Sequence, residues 1–299
     1  MANPLLKALG LSEHDRAVLI HTDDIGMCHA SLAAYADLAA VGIISSGSVM
    51  VPCPWFQATA HFCREHPAIV DMGVHVTLTS EWDSGYRWGP VSTRDPASGL
   101  LDEAGYLPMT SEAVQRHASP EAVRAEVFAQ VERALAAGID VTHIDSHMGT
   151  VFFPGFLESY LEVARCYNIP PFLVRRTQAQ LEAMGFPQPL AARLPAMIQE
   201  LDAQGMPLFD EITFIPFDHR ETHLAQARRT LERLPVGLTY LIIHPSKDTP
   251  ELRAIIPDGW EARVADYEIF MQDAMRALLH EQGIHVIRWR QLRDLFRSR

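Results

Sequence analysis

The chain has 299 residues, 48% of them hydrophobic and 21% charged, and a formal net charge of −12. That length and balance describe a globular protein that can bury a sizeable core without disulfide or metal staples. The acidic balance argues against nucleic acid or an anionic membrane as partner, because both select basic surfaces.

Residues 1–15 have no basic segment followed by a clean apolar run, since Lys7 interrupts the short apolar stretch. No signal peptide and no transmembrane segment are expected, and the cytoplasm is the default location. Residues 17–22 (Ala-Val-Leu-Ile-His-Thr) form an apolar, β-prone run that ends on Asp23-Asp24, as a buried parallel strand would. Gly26 turns the chain, and residues 29–40 read as a helix closed at Gly42. A second strand covers 46–51, a second helix 55–65 and a third strand 72–78, the last alternating so that His75, Thr77 and Thr79 share a face. An irregular stretch of about 80–118 follows, with Trp82, Tyr86 and Trp88 in it. A loop of that length inside a domain is usually functional.

Ser119-Pro120-Glu121 opens a helix that runs to about Ala137, with Gly138 behind it. The fourth strand is Thr142–Met148, where His143, Asp145 and His147 fall at alternate positions and so on one face. Residues 156–166 are helical and 171–176 form a fifth strand. Residues 178–203 are helical with a break around 185–187. A sixth strand spans 211–217, a helix 221–234 and a seventh strand 238–243, ending on His244-Pro245-Ser246. A polar loop, 247–260, precedes a long helix over 261–281 and a last strand over 285–289. Strand and helix alternate seven or eight times, which means parallel strands with helical crossovers. No Gly-rich turn follows the first strand, so a dinucleotide fold is unsupported. The expected fold is α/β: one distorted (β/α) TIM-like barrel over residues 1–299, with the 80–118 loop inserted. Cys28, Cys53, Cys63 and Cys166 form no C-x-x-C pair and read as reduced thiols.

In such barrels the chemistry sits at the C-terminal ends of the strands. Asp23-Asp24, His75, the His143/Asp145/His147 row, Arg175-Arg176 and His244 all fall at strand ends. One carboxylate and two imidazoles make a site for a divalent ion with positions left for water and substrate. Such an ion lowers the pKa of its water towards ~7 and polarises a carbonyl, while a second carboxylate takes the proton and a histidine protonates the leaving group. Asp23 and Asp24 diverge if the backbone between them stays extended, so that one faces the ion and the other the water. Arg175, Arg176, Trp82, Tyr86 and Trp88 are the expected substrate contacts around this rim.

Thr22-Asp23-Asp24-Ile25-Gly26, Gly73-Val74-His75-Val76-Thr77-Leu78-Thr79, Thr142-His143-Ile144-Asp145-Ser146-His147 and His244-Pro245-Ser246 resemble, in order and spacing, the motifs of the YdjC-like carbohydrate deacetylases, relatives of the polysaccharide deacetylases. The resemblance implies metal-dependent removal of an acetyl group from an N-acetylated mono- or oligosaccharide, with metal-bound water as nucleophile. It implies Asp24, His75 and His147 as metal ligands, Asp23 as general base and His244 as general acid, with His143 and Asp145 orienting ligands or binding substrate. One divalent ion is expected, zinc or magnesium. The chain departs from the family pattern at His21-Thr22, where Asn-Ala is usual, at Met148-Gly149-Thr150, where further histidines are common, and at Tyr240, where a glutamate is common. Another metal-dependent ester, amide or phosphoester hydrolase, and a non-catalytic sugar-binding barrel, stay open as readings, as does a homodimer beside a monomer.

Overall fold

The computed structural model describes residues 3–82, 85–183, 186, 188–216 and 220–298. Seven parallel strands form one sheet: β1 (Arg16–Ile25), β2 (Ser46–Val49), β3 (Met72–Val76), β4 (Val141–Ser146), β5 (Glu211–Phe214), β6 (Gly237–Ile243) and β7 (Ile284–Val286). Their order is β4-β3-β2-β1-β6-β5, with β7 beside the first turn of β1. Helices cover the outside, so β1 is buried along nearly its whole length and reads as a continuous apolar run.

Residues 171–176 do not form the expected fifth strand. They make isolated bridges only, Ile144 to Pro171 and Val174 to Phe209. The reason lies in Pro170-Pro171: two consecutive prolines supply no N–H, so no ladder can run through them. What remains is one pair of bonds to each side. Phe172 donates to the Ile144 carbonyl (2.8 Å) and Arg175 to that of Phe209 (2.8 Å). These bridges join β4 to the strand pair β5–β6 and close the ring, giving the distorted (β/α) barrel.

Side chains alternate inward and outward along each strand. On β1, Val18 and Ile20 pack outward in the main core, while Ala17 and Leu19 point inward. The inward set joins Phe172, Phe209, Leu238, Tyr240 and Trp289 in a plug that fills the lower half of the barrel. Each fully buried ring contributes about 2–3 kcal/mol of transfer free energy. The next inward positions on β1 are His21 and Asp23, so a polar layer rests directly on this aromatic floor.

Other boundaries differ from the expected ones. β4 ends at Ser146, because Met148 (φ 54°) and Gly149 (φ 65°) turn the chain left-handed at once. His147 therefore stands just past the strand. The 80–118 stretch holds a helix, Ser111–His117, and a 3-10 turn, Pro96–Ser98. It is tied down by the helix Pro120–Ala136: Glu126 accepts from the Val91 and Ser92 amides, and Gln130 bonds both backbone groups of Thr77. Within 247–260, Thr249 caps a helix, Pro250–Ile255. The long last helix is two, Trp260–Phe270 and Asp273–Glu281, with no glycine or proline at the break. Strand β7 stops at Val286, and Trp289 opens a helix to Arg297 that brings its indole under the barrel. The expected break at 185–187 lies largely outside the described residues, as does Phe217 at the end of the sixth expected strand.

Candidate metal centre

Asp23 and Asp24 do not diverge. Between β1 and β2 the register slips from Thr22–Gly47 to Ile25–Val49, so two residues of β1 face one of β2. Asp24 takes φ 61°, a conformation aspartate tolerates better than most residues. Such a bulge re-aims side chains, and here it turns both carboxylates to one imidazole. His75 Nε2 lies 3.4 Å from Asp24 Oδ1 and 3.8 Å from Asp23 Oδ2.

Three ligand atoms converge beside Asp23. His75 donates Nδ1–H to Asp145 Oδ1 (2.7 Å), which leaves a lone pair on Nε2. His147 gives Nε2–H to Glu81, which leaves a lone pair on Nδ1. These two nitrogens are 3.3 Å apart, and Asp24 Oδ1 is 3.1 Å from His147 Nδ1. Among the described residues nothing donates a hydrogen bond of good geometry to the buried Asp24 Oδ1. With both imidazoles neutral, lone pairs facing one another across 3.1–3.4 Å call for a positive charge between them, a proton or a metal ion, and tetrahedral ligand atoms about 2.1 Å from a zinc ion are themselves about 3.4 Å apart. The residues fit a divalent metal. Each imidazole is oriented by a carboxylate on its far nitrogen, as ligand histidines are.

The surrounding carboxylates favour a positive charge at this point. Burial alone would lower the imidazole of His75, yet Asp145 and Asp23 raise it well above its usual value. Burial also opposes the charge on His147, but Glu81 and Asp24 push it up to about 9. Burial pushes Asp24 up, and the Arg263 guanidinium (2.8 Å from Oδ2) and His147 outweigh it and hold the carboxyl well below the usual range. Asp23 has no such guanidinium beside it among the described residues, and burial raises it to about 6 against His75 and His21. His244 Nε2 lies 3.8 Å from Asp23 Oδ2. Burial pushes His244 down to about 3, with Arg263, His75 and His147 adding to the effect and Asp24 opposing it. Its backbone N–H donates to Asp266 (2.8 Å), which also holds His223.

The cluster lines a cavity of about 790 Å³. Asp23, Asp24, His75, His147 and His244 line it together, and so do Asp145 and Trp82. An apolar wall of Phe152, Phe172, Ile212 and Phe214 stands with them. His143 lies fully buried below Asp145, stacked on Trp289. Besides His143, four expected substrate contacts are engaged elsewhere and do not line the cavity. Arg175 pairs with Asp202 and Asp210, and Arg176 with Glu211. Trp88 is buried and donates to the Thr79 carbonyl, and Tyr86 donates to that of Met27. Sequence reasoning missed His21 and Arg263 as members of the cluster, and it did not foresee Glu81 of the inserted loop as the partner of His147. The one signal for Arg263 is its place in Ala262–Asp266, a run that buries charged residues among apolar ones.

The family model for YdjC-like proteins matches residues 17–281. A carbohydrate deacetylase of Thermus thermophilus is 35% identical over 290 residues, 97% of this chain and 98% of that protein. One of Brevibacillus brevis is 29% identical over 153 residues, 51% of this chain and 57% of that protein. The crystal structure of an Enterococcus faecalis V583 protein, ascribed a role in cellobiose-phosphate cleavage, superposes with a TM-score of 0.74 at 21% identity. The match covers 93% of this chain and 99% of that one, and it bears on the fold alone.

Proposed function

Because the chain belongs to the YdjC-like protein family, we propose that it is a metal-dependent carbohydrate N-deacetylase that hydrolyses the acetamide of an N-acetylated mono- or oligosaccharide. One observation carries the reading. Asp24, His75 and His147 aim a carboxylate oxygen and two imidazole lone pairs at one point, with Asp23 beside them on the cavity. A divalent ion held there supplies Lewis acidity to a water and to the amide carbonyl.

The chain's own groups handle the proton. Asp23 is the base: its carboxyl, raised to about 6, accepts a proton near neutral pH and can return it. His244 is pushed down to about 3 and so is neutral at pH 7. It holds no proton in advance, so the departing amine takes the one that Asp23 has accepted, and His244 stands beside that carboxylate with its Nε2 3.8 Å from Asp23 Oδ2. Asp145 and Glu81 hold the two ligand imidazoles in the tautomers that expose their lone pairs. Asp23, Asp24, Glu81 and Asp145 on one cavity favour a neutral amide, whose product amine is a cation, over an anionic phosphoester. Trp82 and the phenylalanines opposite offer apolar faces to a sugar ring.

The test is elemental analysis of the purified chain followed by an acetate-release screen over N-acetylated mono- and oligosaccharides. Stoichiometric metal with acetate release is the expected result. Metal-loaded protein that binds such sugars and releases no acetate refutes the proposal and favours a binding protein.

A further inference from the structure

We infer that a second divalent cation binds beneath the first, held by His21, His143 and Asp145. The three side chains are almost fully buried, and each offers a ligand atom within 4.8 Å of the others'. His21 Nε2 is 2.9 Å from Asp145 Oδ2, and His143 Nε2 is 3.8 Å from the same oxygen. None of the three belongs to the Asp24, His75 and His147 set.

The tautomer of His143 carries the argument. The Thr142 hydroxyl donates its hydrogen to Asp71 Oδ1 (2.5 Å). Its oxygen can then only accept from His143, so Nδ1 (3.0 Å away) bears the hydrogen and Nε2 a lone pair. Among the described residues that lone pair has no hydrogen-bond partner, and it faces a carboxylate oxygen. Asp23 Oδ1, 3.2 Å from His21 Nε2, is likewise buried without a hydrogen bond. The His143 Nε2 lone pair and Asp145 Oδ2 face each other with no hydrogen between them, and a cation at that point removes the conflict; His21 Nε2, which also lies 3.0 Å from Ser48 Oγ, completes the set.

The surroundings are built to hold ligands. His21 Nδ1 lies 2.7 Å from Ser46 Oγ, and His143 Nδ1 is tied through Thr142 to Asp71, so both rings have the outer partner that ligand histidines use. Neither ring can turn. His143 is stacked on Trp289 at 4.6 Å with 8° between planes, and its other face touches Gly73, where a Cβ would come within 2.4 Å. His21 stacks on Tyr240 at 4.9 Å, and the Tyr240 hydroxyl reaches Asp145 Oδ2 at 3.2 Å. Asp23 and Asp145 both border the cavity, which gives an ion its way in. Two imidazoles and a carboxylate select zinc or a similar transition metal over magnesium or calcium.

The test is a zinc count on the full chain, stripped with chelator, titrated with Zn²⁺, desalted and weighed by native mass spectrometry. Two zinc ions per chain are expected for the wild type, one for His21→Asn, one for Asp24→Asn and none for the double variant. A wild type that takes up one ion, or a His21→Asn variant that still takes up two, overturns the inference. Anomalous diffraction from zinc-soaked wild-type crystals gives an answer that needs no variant to fold. A peak about 2.0–2.1 Å from both Nε2 atoms is expected, and its absence there is decisive against the site. Acetate release is followed in parallel. Two bound zinc ions without turnover would refute the deacetylase reading and leave this site standing.

Discussion

Gly73→Ala puts the packing beneath the site to a quantitative test. The added methyl would lie 2.4–2.7 Å from three atoms of the His143 ring, about 1 Å inside ordinary contact. The ring cannot retreat, because Trp289 lies parallel on its far side and Thr142 holds Nδ1. Overpacking a rigid core costs about 1–3 kcal/mol, and the upper end applies where neither neighbour can give. For a chain of 299 residues, about 3 kcal/mol lowers the melting temperature by about 5 °C. Differential scanning calorimetry on the metal-free protein measures it. Coupling with Trp289→Leu is the sharper readout: with the indole gone the imidazole can slide away, so Gly73→Ala should cost about 1 kcal/mol less in that background. A fall of under 1 °C in the wild-type background, or costs that add without coupling, would refute the claim that His143 is clamped between these two residues.

Asp23→Asn should keep its metal content and lose about 10²–10⁴-fold in kcat, measured as acetate release; a variant of undiminished rate is incompatible with Asp23 as the base. Glu81→Gln removes the charged partner of His147 Nε2 and should weaken metal binding by about 10–100-fold, read by calorimetric titration with little change in melting temperature. Cys28, Cys53 and Cys63 are buried and Cys166 is exposed. A disulfide-exchange reagent should therefore label one thiol in the native chain and all four after denaturation. Since the thiolate is the reactive form and burial pushes Cys63 up to about 12, that count should hold as the pH is raised from 7 to 9.

The strands and their rim were legible because parallel strands carry their signal locally. Apolar runs that end on Asp23-Asp24, His75 and His244 need no partner to be recognised, and the structure gathers those ends around one cavity. The segment 171–176 has the same apolar look, but its pairing is decided by what its prolines lack. The convergence of Asp23 and Asp24 depends on a bulge, a relation between two strands that neither one shows alone. His21 looks like the polar end of an apolar strand until β4 and β6 bring Asp145 and Tyr240 to it. Glu81 comes from the inserted stretch and Arg263 from the helix Trp260–Phe270, so only tertiary packing sets them beside His147 and Asp24. Arg175 and Arg176 show the opposite case: carboxylates on neighbouring segments pair with them away from the cavity.

The seam at Pro170-Pro171 divides the barrel wall into two materials. From β6 through β1 to β4 the ring is continuous ladder, and it carries both aspartates and His75. Across the seam the wall hangs on single pairs of bonds and on the partly exposed β5, and Phe172, Ile212 and Phe214 stand on that side. Backbone with few protecting bonds opens at lower free energy than regular sheet. Hydrogen exchange should therefore run fastest through Phe172–Arg175 and slowest through β1. An enzyme built this way can widen or reshape the face that meets the sugar, by breathing or by mutation, while the ligand geometry across the cavity holds still.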